Sequence, residues 1–225
     1  MVPGARLVIL GKQGAGKGTQ CVRLSRHYVV PHISTGDMFR AAVRSGSEFG
    51  EQAKAYMDAG ELIPDEVVVG VVKERLGQDD TANRGFVLDG FPRTVHQAES
   101  LDEILAPRGI DLAIDIEVDT EVVLRRLASR RVCSDCGANF SLDHPPKVNW
   151  TCDVCGGEVI QREDDTEGAI RRRLELYERE TAPLIAWYST RGTLMPVEGM
   201  GSPDEVTTRL VKVVDESRMG SRRPD

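Results

Sequence analysis

The 225-residue sequence predicts an α/β fold, a parallel sheet flanked by helices, and three observations carry that prediction. Short apolar runs at 7–10, 86–88, 112–118 and 194–197 have the character of strands covered on both faces, where side chains need not alternate toward water. Longer stretches with apolar residues at helical spacing lie between them, and strands that alternate with helices form a parallel sheet through crossover connections. A glycine-rich turn joins the first strand to the first helix.

Taken in order, helices are expected over 16–28, 65–76, 94–105, 120–131 and 166–188, because few glycines or prolines interrupt them. Ser202, Pro203 and Glu205 mark the start of a last helix as an N-cap, a first-turn proline and a capping-box acid. Two stretches break the alternation and read as insertions: 34–63, which reads as short helices, and 132–161, which holds the cysteines, Pro145 and Pro146. The segment 216–225 is polar enough to be a frayed tail.

Composition bounds the function classes. With 40% hydrophobic residues the chain can bury one substantial core. No apolar run approaches the ~18 residues of a membrane span, and residues 1–6 lack the charge pattern of a secretion signal, so a cytoplasmic protein is expected. Its 29 Lys and Arg against 36 Asp and Glu give a formal charge of -7, so no global basic field draws it to nucleic acid or anionic lipid. Anionic ligands must be held by local positive clusters.

Gly11-Lys12-Gln13-Gly14-Ala15-Gly16-Lys17 fits G-x-x-x-x-G-K in the strand-to-helix context that this phosphate loop requires. The glycines let successive amides point inward, the helix N-terminus adds partial positive charge, and Lys17 is placed to reach between β- and γ-phosphates. The residue after the lysine is Gly18, with the hydroxyl one place later at Thr19, where the common motif has Ser or Thr beside Lys to hold magnesium. Magnesium is then expected to depend on an acid elsewhere. Asp89, at the end of an apolar run, is the candidate, because a carboxylate at a strand's C-terminal edge faces the ligand crevice; the plainer alternative is a turn-forming Asp-Gly.

Cys133-x2-Cys136, fifteen residues, then Cys152-x2-Cys155 is zinc-ribbon spacing. Four thiolates complete a tetrahedral shell, so the expected zinc is structural; a disulfide or free thiols are the alternative. His144 reads as a loop residue, and Cys21, the fifth cysteine, as a small buried apolar one.

Four strings together resemble the adenylate kinase family: Gly14-Ala15-Gly16-Lys17-Gly18-Thr19-Gln20, Ser34-Thr35-Gly36-Asp37-Met38, Asp89-Gly90-Phe91-Pro92-Arg93-Thr94 and Arg162-Glu163-Asp164-Asp165. Their order and spacing are similar to the long form with a zinc-bearing lid. The resemblance implies a P-loop NTPase-type core over 1–33, 64–128 and 166–225, a small helical NMP-binding insertion over 34–63, and a zinc-ribbon lid over 129–165. It implies reversible transfer of phosphoryl from Mg2+-bound ATP to AMP, giving two ADP, by a monomer.

By position the resemblance assigns Gly14, Ala15, Gly16, Lys17, Gly18, Thr19, Arg126, Arg130, Asn139 and Phe140 to ATP. It assigns Thr35, Arg40, Glu61, Leu62, Ile63, Gly90, Phe91, Pro92, Arg93 and Gln97 to AMP. Arg162 and Arg173 would bridge the two substrates, so that Lys17, Arg40, Arg93, Arg130, Arg162 and Arg173 carry the chemistry, and Asp164 and Asp165 would anchor the lid. Lys12 and Gln13 replace the usual Ala-Pro of the loop, with neither side chain expected to be needed for cradling phosphate, and Phe140 replaces a commoner tyrosine. From the residues alone the helical arginines read as solvated faces, although guanidinium forks match phosphate oxygens. Other nucleoside monophosphate kinases and a GTP:AMP phosphotransferase remain alternatives. More distant is an ATP switch whose zinc ribbon binds nucleic acid, disfavoured by the acidic balance and the 5% aromatics.

Overall fold

The computed structural model describes residues 4–220 apart from Glu163. Its centre is a five-stranded sheet of β1 (Arg6–Leu10), β2 (His32–Ser34), β3 (Phe86–Asp89), β4 (Leu112–Glu117) and β8 (Leu194–Glu198), in the order β2-β3-β1-β4-β8. Every pairing in it is parallel.

Strand pleating splits the apolar runs between two cores. Leu7, Ile9, Val87, Leu112, Ile114 and Ile116 face Cys21, Leu24 and Tyr28 of α1 (Lys17–Tyr28) and Val206, Leu210 and Val214 of α10 (Pro203–Gly220). Val8, Leu10, Phe86, Leu88 and Ala113 face the other way. They meet Phe39 of α2 (Thr35–Arg44), Ala53 of α3 (Glu48–Ala59), Val68 and Val72 of α4 (Asp65–Leu76), Leu101 of α6 (Val95–Leu105) and Leu184 of α9 (Pro183–Thr190). Both faces are covered, which is why these strands read as apolar runs. α5 (Asp79–Arg84) leads into β3.

The predicted boundaries need four corrections. The helix expected over 120–131 ends as α7 (Thr120–Ser129), and Arg130 and Arg131 open a strand, β5 (Arg130–Cys133). β5 pairs antiparallel with β6 (Asn139–Ser141) and β7 (Val159–Ile160) in a separate small sheet. The helix expected over 166–188 is α8 (Glu167–Leu176), a π-helical turn (Tyr177–Thr181) and α9; the wider turn falls just before Pro183, which cannot donate to an ordinary helical ladder. Edge strand β2 has three residues and begins with a histidine, too short and polar to form an apolar run. In the tail, 216–220 continue α10 and 221–225 lie outside the described residues, as do 1–3.

The capping expectations hold. Ser202 Oγ accepts from the Glu205 amide at 3.3 Å, and Glu205 Oε2 accepts from the Ser202 amide at 2.7 Å. No helix among the described residues is long and apolar enough to cross a membrane.

Candidate active site

The C-terminal ends of β1 and β3 open into a cavity of about 570 Å3. At its floor the loop between β1 and α1 turns on Gly14 and Gly16, with φ values of 86° and 102° that side chains rarely adopt. A Cβ on Gly14 would stand 2.9 Å from Leu127 Cγ, so the turn also needs the missing side chain. Gly16 is the N-cap of α1 and offers no side-chain cap, leaving the first amides of the helix to an anion. Lys17 folds back over this loop and donates to the carbonyls of Gly11 at 2.6 Å and Lys12 at 2.9 Å. Burial pushes its pKa down, against the opposing charge of Asp89.

Asp89 ends β3, 3.5 Å from where a Gly18 Cβ would stand. Burial works to raise its pKa, but His32, Lys17 and Arg93 outweigh that and hold the carboxyl ionised below its ordinary range. An ionised acid beside the uncapped helix start fits a hydrated magnesium ion.

Across the cavity Thr35 donates to the Gly90 carbonyl at 2.9 Å, and Arg93 Nε donates to the same carbonyl at 2.9 Å. Gln97 accepts from the Arg93 amide at 2.8 Å and donates to Asp65 Oδ1 at 2.6 Å, so α4 fixes its orientation. Arg40 lies across Gly36, paired with Asp37 one turn earlier. Glu61, Leu62, Ile63 and Pro92 line the same wall. Phe91 does not: it is buried in the second core and can present only its backbone to the cavity.

The third wall comes from the small sheet and α8. Asn139 and Phe140 line it, with Asn139 Nδ2 3.6 Å from the same Gly18 position. Arg126 donates to the carbonyls of Ala15 and Gly199, both at 3.2 Å. Arg130 grips Asp165 with two donors, its Nε at 2.7 Å from Oδ2. Arg173 donates to Asp164 Oδ2 at 2.6 Å and to the Met57 carbonyl at 2.9 Å. Arg162 is different. Its Nε is buried with no hydrogen-bond partner among the described residues, and burial, with Arg130 and Arg40 adding to it, pushes its pKa down to about 10. An anion seated there would relieve both.

Gln13, with a side chain not expected to be needed for cradling phosphate, takes a further part. Turned so that its carboxamide oxygen meets donors, Gln13 accepts from Arg130 Nη2 at 2.9 Å and Arg173 Nη1 at 3.0 Å. It ties the phosphate loop to two arginines that lie far off in sequence, and no local pattern signals such a contact.

Away from the cavity, Cys133, Cys136, Cys152 and Cys155 bring their sulfurs within 4.8 Å of one another without disulfides. The set is chemically that of a closed zinc shell. His144 takes no part in it and lies in a turn whose amide bonds to Ser141.

The adenylate kinase family model matches residues 9–193. An adenylate kinase of Thermodesulfovibrio yellowstonii is 50% identical over 94% of this chain and 99% of its own length. Relatives of the same name from Clostridium botulinum and Acidothermus cellulolyticus are 47% and 50% identical, over 95% and 92% of this chain and 100% and 96% of theirs. The chain belongs to the adenylate kinase family. It is a nucleoside monophosphate kinase, a phosphotransferase with a parallel P-loop sheet and a clustered four-cysteine set.

Proposed function

We propose that this kinase transfers the γ-phosphoryl of ATP directly to the α-phosphate of AMP, giving two ADP, with position and charge as its means of catalysis. The observation that carries the reading is the convergence of Lys17, Arg40, Arg93, Arg130, Arg162 and Arg173 on one cavity between the phosphate loop and the Thr35–Gly90 wall. Two polyanions meeting head to head require this neutralisation, and no nucleophilic side chain is needed.

In this reading the loop amides from Gly14 to Thr19 cradle the donor's β- and γ-phosphates, and Lys17 leaves its carbonyl partners to follow the moving group. Arg126 and Arg130 meet the same nucleotide, and Asn139 and Phe140 cover its base or ribose. Arg40 and Arg93 clamp the acceptor's α-phosphate. Thr35, Gln97, the backbone of 61–63 and that of 90–92 hold its base and ribose, and Arg162 and Arg173 span both substrates. Asp89 would hold Mg2+ through water, and the ion would offset the charge of the donor's phosphates. The four cysteines would hold Zn2+ as a clasp, in place of a hydrophobic core that so short a segment cannot build.

We further assign 34–63 and 129–165 as covers on the core that exclude water when both substrates are present, since water in the cavity would hydrolyse ATP. Asp164 and Asp165 hold the second cover to the core. A cytoplasmic monomer completes the reading, and gel filtration tests its oligomeric state.

The test is a coupled assay of ADP formation with ATP or GTP as donor and AMP, CMP, UMP, GMP or no acceptor. ATP with AMP is expected to be fastest. Another preferred base would move the specificity assignment alone, and hydrolysis without acceptor would overturn the transfer reading.

A further inference from the structure

Beneath the phosphate loop a second group of metal-ligating side chains stands apart from the cysteine clasp. Cys21 on α1, His32 at the start of β2 and Asp89 at the end of β3 each offer one atom, and the three atoms lie within 4.8 Å of one another. His32 Nε2 stands 3.6 Å from Asp89 Oδ2, within ion-pair reach but too far for a hydrogen bond, and this buried nitrogen has no hydrogen-bond partner among the described residues. Cys21 is fully buried. A buried imidazole nitrogen left without a partner is costly, and here it faces a thiol and an ionised carboxyl.

We propose that Cys21, His32 and Asp89 form an inhibitory site for a thiophilic divalent cation such as Zn2+. Sulfur, imidazole nitrogen and carboxylate oxygen suit Zn2+ or Co2+, whereas Mg2+ favours an all-oxygen shell, so the set discriminates against the ion that accompanies ATP. Three protein ligands leave a fourth position for water. On binding, the Cys21 thiol gives its proton to solvent and the sulfur–metal bond replaces the sulfur–hydrogen bond. Thiolate and carboxylate together match the ion's charge. The cation reaches the site through the cavity, which Asp89 lines. Once bound it withdraws Asp89 from the nucleotide's magnesium, and this consequence rests on the role proposed for Asp89 above.

The experiment uses full-length protein given one equivalent of zinc, which the four thiolates take first, and then titrated with Co2+ without nucleotide. Cobalt does not displace zinc from thiolates, since its affinity is the lower of the two. The expected result is a cobalt–thiolate charge-transfer band that Cys21→Ala abolishes. His32→Gln should weaken cobalt binding by about tenfold or more, at least the cost of losing an outer-shell partner. Micromolar Zn2+ should then inhibit the wild type and spare Cys21→Ala. No band in the wild type, or a band unchanged in Cys21→Ala, overturns the site. A site that fills while turnover is unaffected leaves cation binding standing but overturns the inhibition, and with it the placement of Asp89 in the magnesium shell.

Discussion

Arg173 Nη2 lies 2.6 Å from Asp164 Oδ2, and the pair joins the last turn of α8 to the segment that leads out of the small cysteine sheet. Both side chains are largely buried, so removing one partner strands the other in a poor dielectric. Asp164→Asn should lower the unfolding free energy by about 1–3 kcal/mol, read from denaturant midpoints at constant slope. An unchanged midpoint would show that the pair is dispensable.

The same carboxyl sets a pH dependence. Burial alone would raise the Asp164 pKa, but Arg173, with Arg40 and Arg162 behind it, more than offsets this and holds it below its ordinary value. Since the folded value lies below the unfolded one, the contribution is full above about pH 4 and fades as pH falls through the folded value. The stability gap between wild type and Asp164→Asn should therefore stay level from neutral pH down to about 5 and close only in stronger acid. A gap that closed near neutrality would contradict the shift.

Gln13→Ala removes an acceptor shared by Arg130 and Arg173. Hydrogen bonds to charged groups are worth about 1.5–3 kcal/mol, so kcat should fall by roughly tenfold or more. Because Gln13 acts through the arginines, the loss should sit in kcat more than in the KM for either nucleotide. A loss confined to the KM for AMP would speak against this role.

Removing the metal expected at the four cysteines should act on stability and leave the chemistry intact. A strong chelator is predicted to lower the melting temperature, with near-normal turnover persisting at temperatures where the clasp segment stays folded. Loss of turnover in the cold, with the fold intact by circular dichroism, would give the metal a direct chemical part.

Much of this was legible in the sequence, because the signals were local. The phosphate loop, the cysteine spacing and the capping box each compress one physical requirement into a few neighbouring residues, and helix α4 begins and ends where its spacing predicts. What escaped depends on partners remote in the chain. Arg130 reads as the end of a helix, yet the pairing of β5 with β6 and β7 draws it into a strand. The π turn before Pro183 is only five residues long, too short to give a periodic signal of its own. Phe91 lies inside a site motif but fills the core, and Gln13, not expected to be needed for cradling phosphate, meets two arginines more than a hundred residues away.

The central claim is charge-assisted transfer from the phosphate loop to an AMP acceptor, and Lys17→Ala in the coupled ADP assay tests it most directly. Losing one positive group that follows the moving phosphoryl should cut AMP-dependent turnover by about a hundredfold or more, with the melting temperature nearly unchanged. Near-normal, AMP-dependent turnover in a folded Lys17→Ala protein would contradict it.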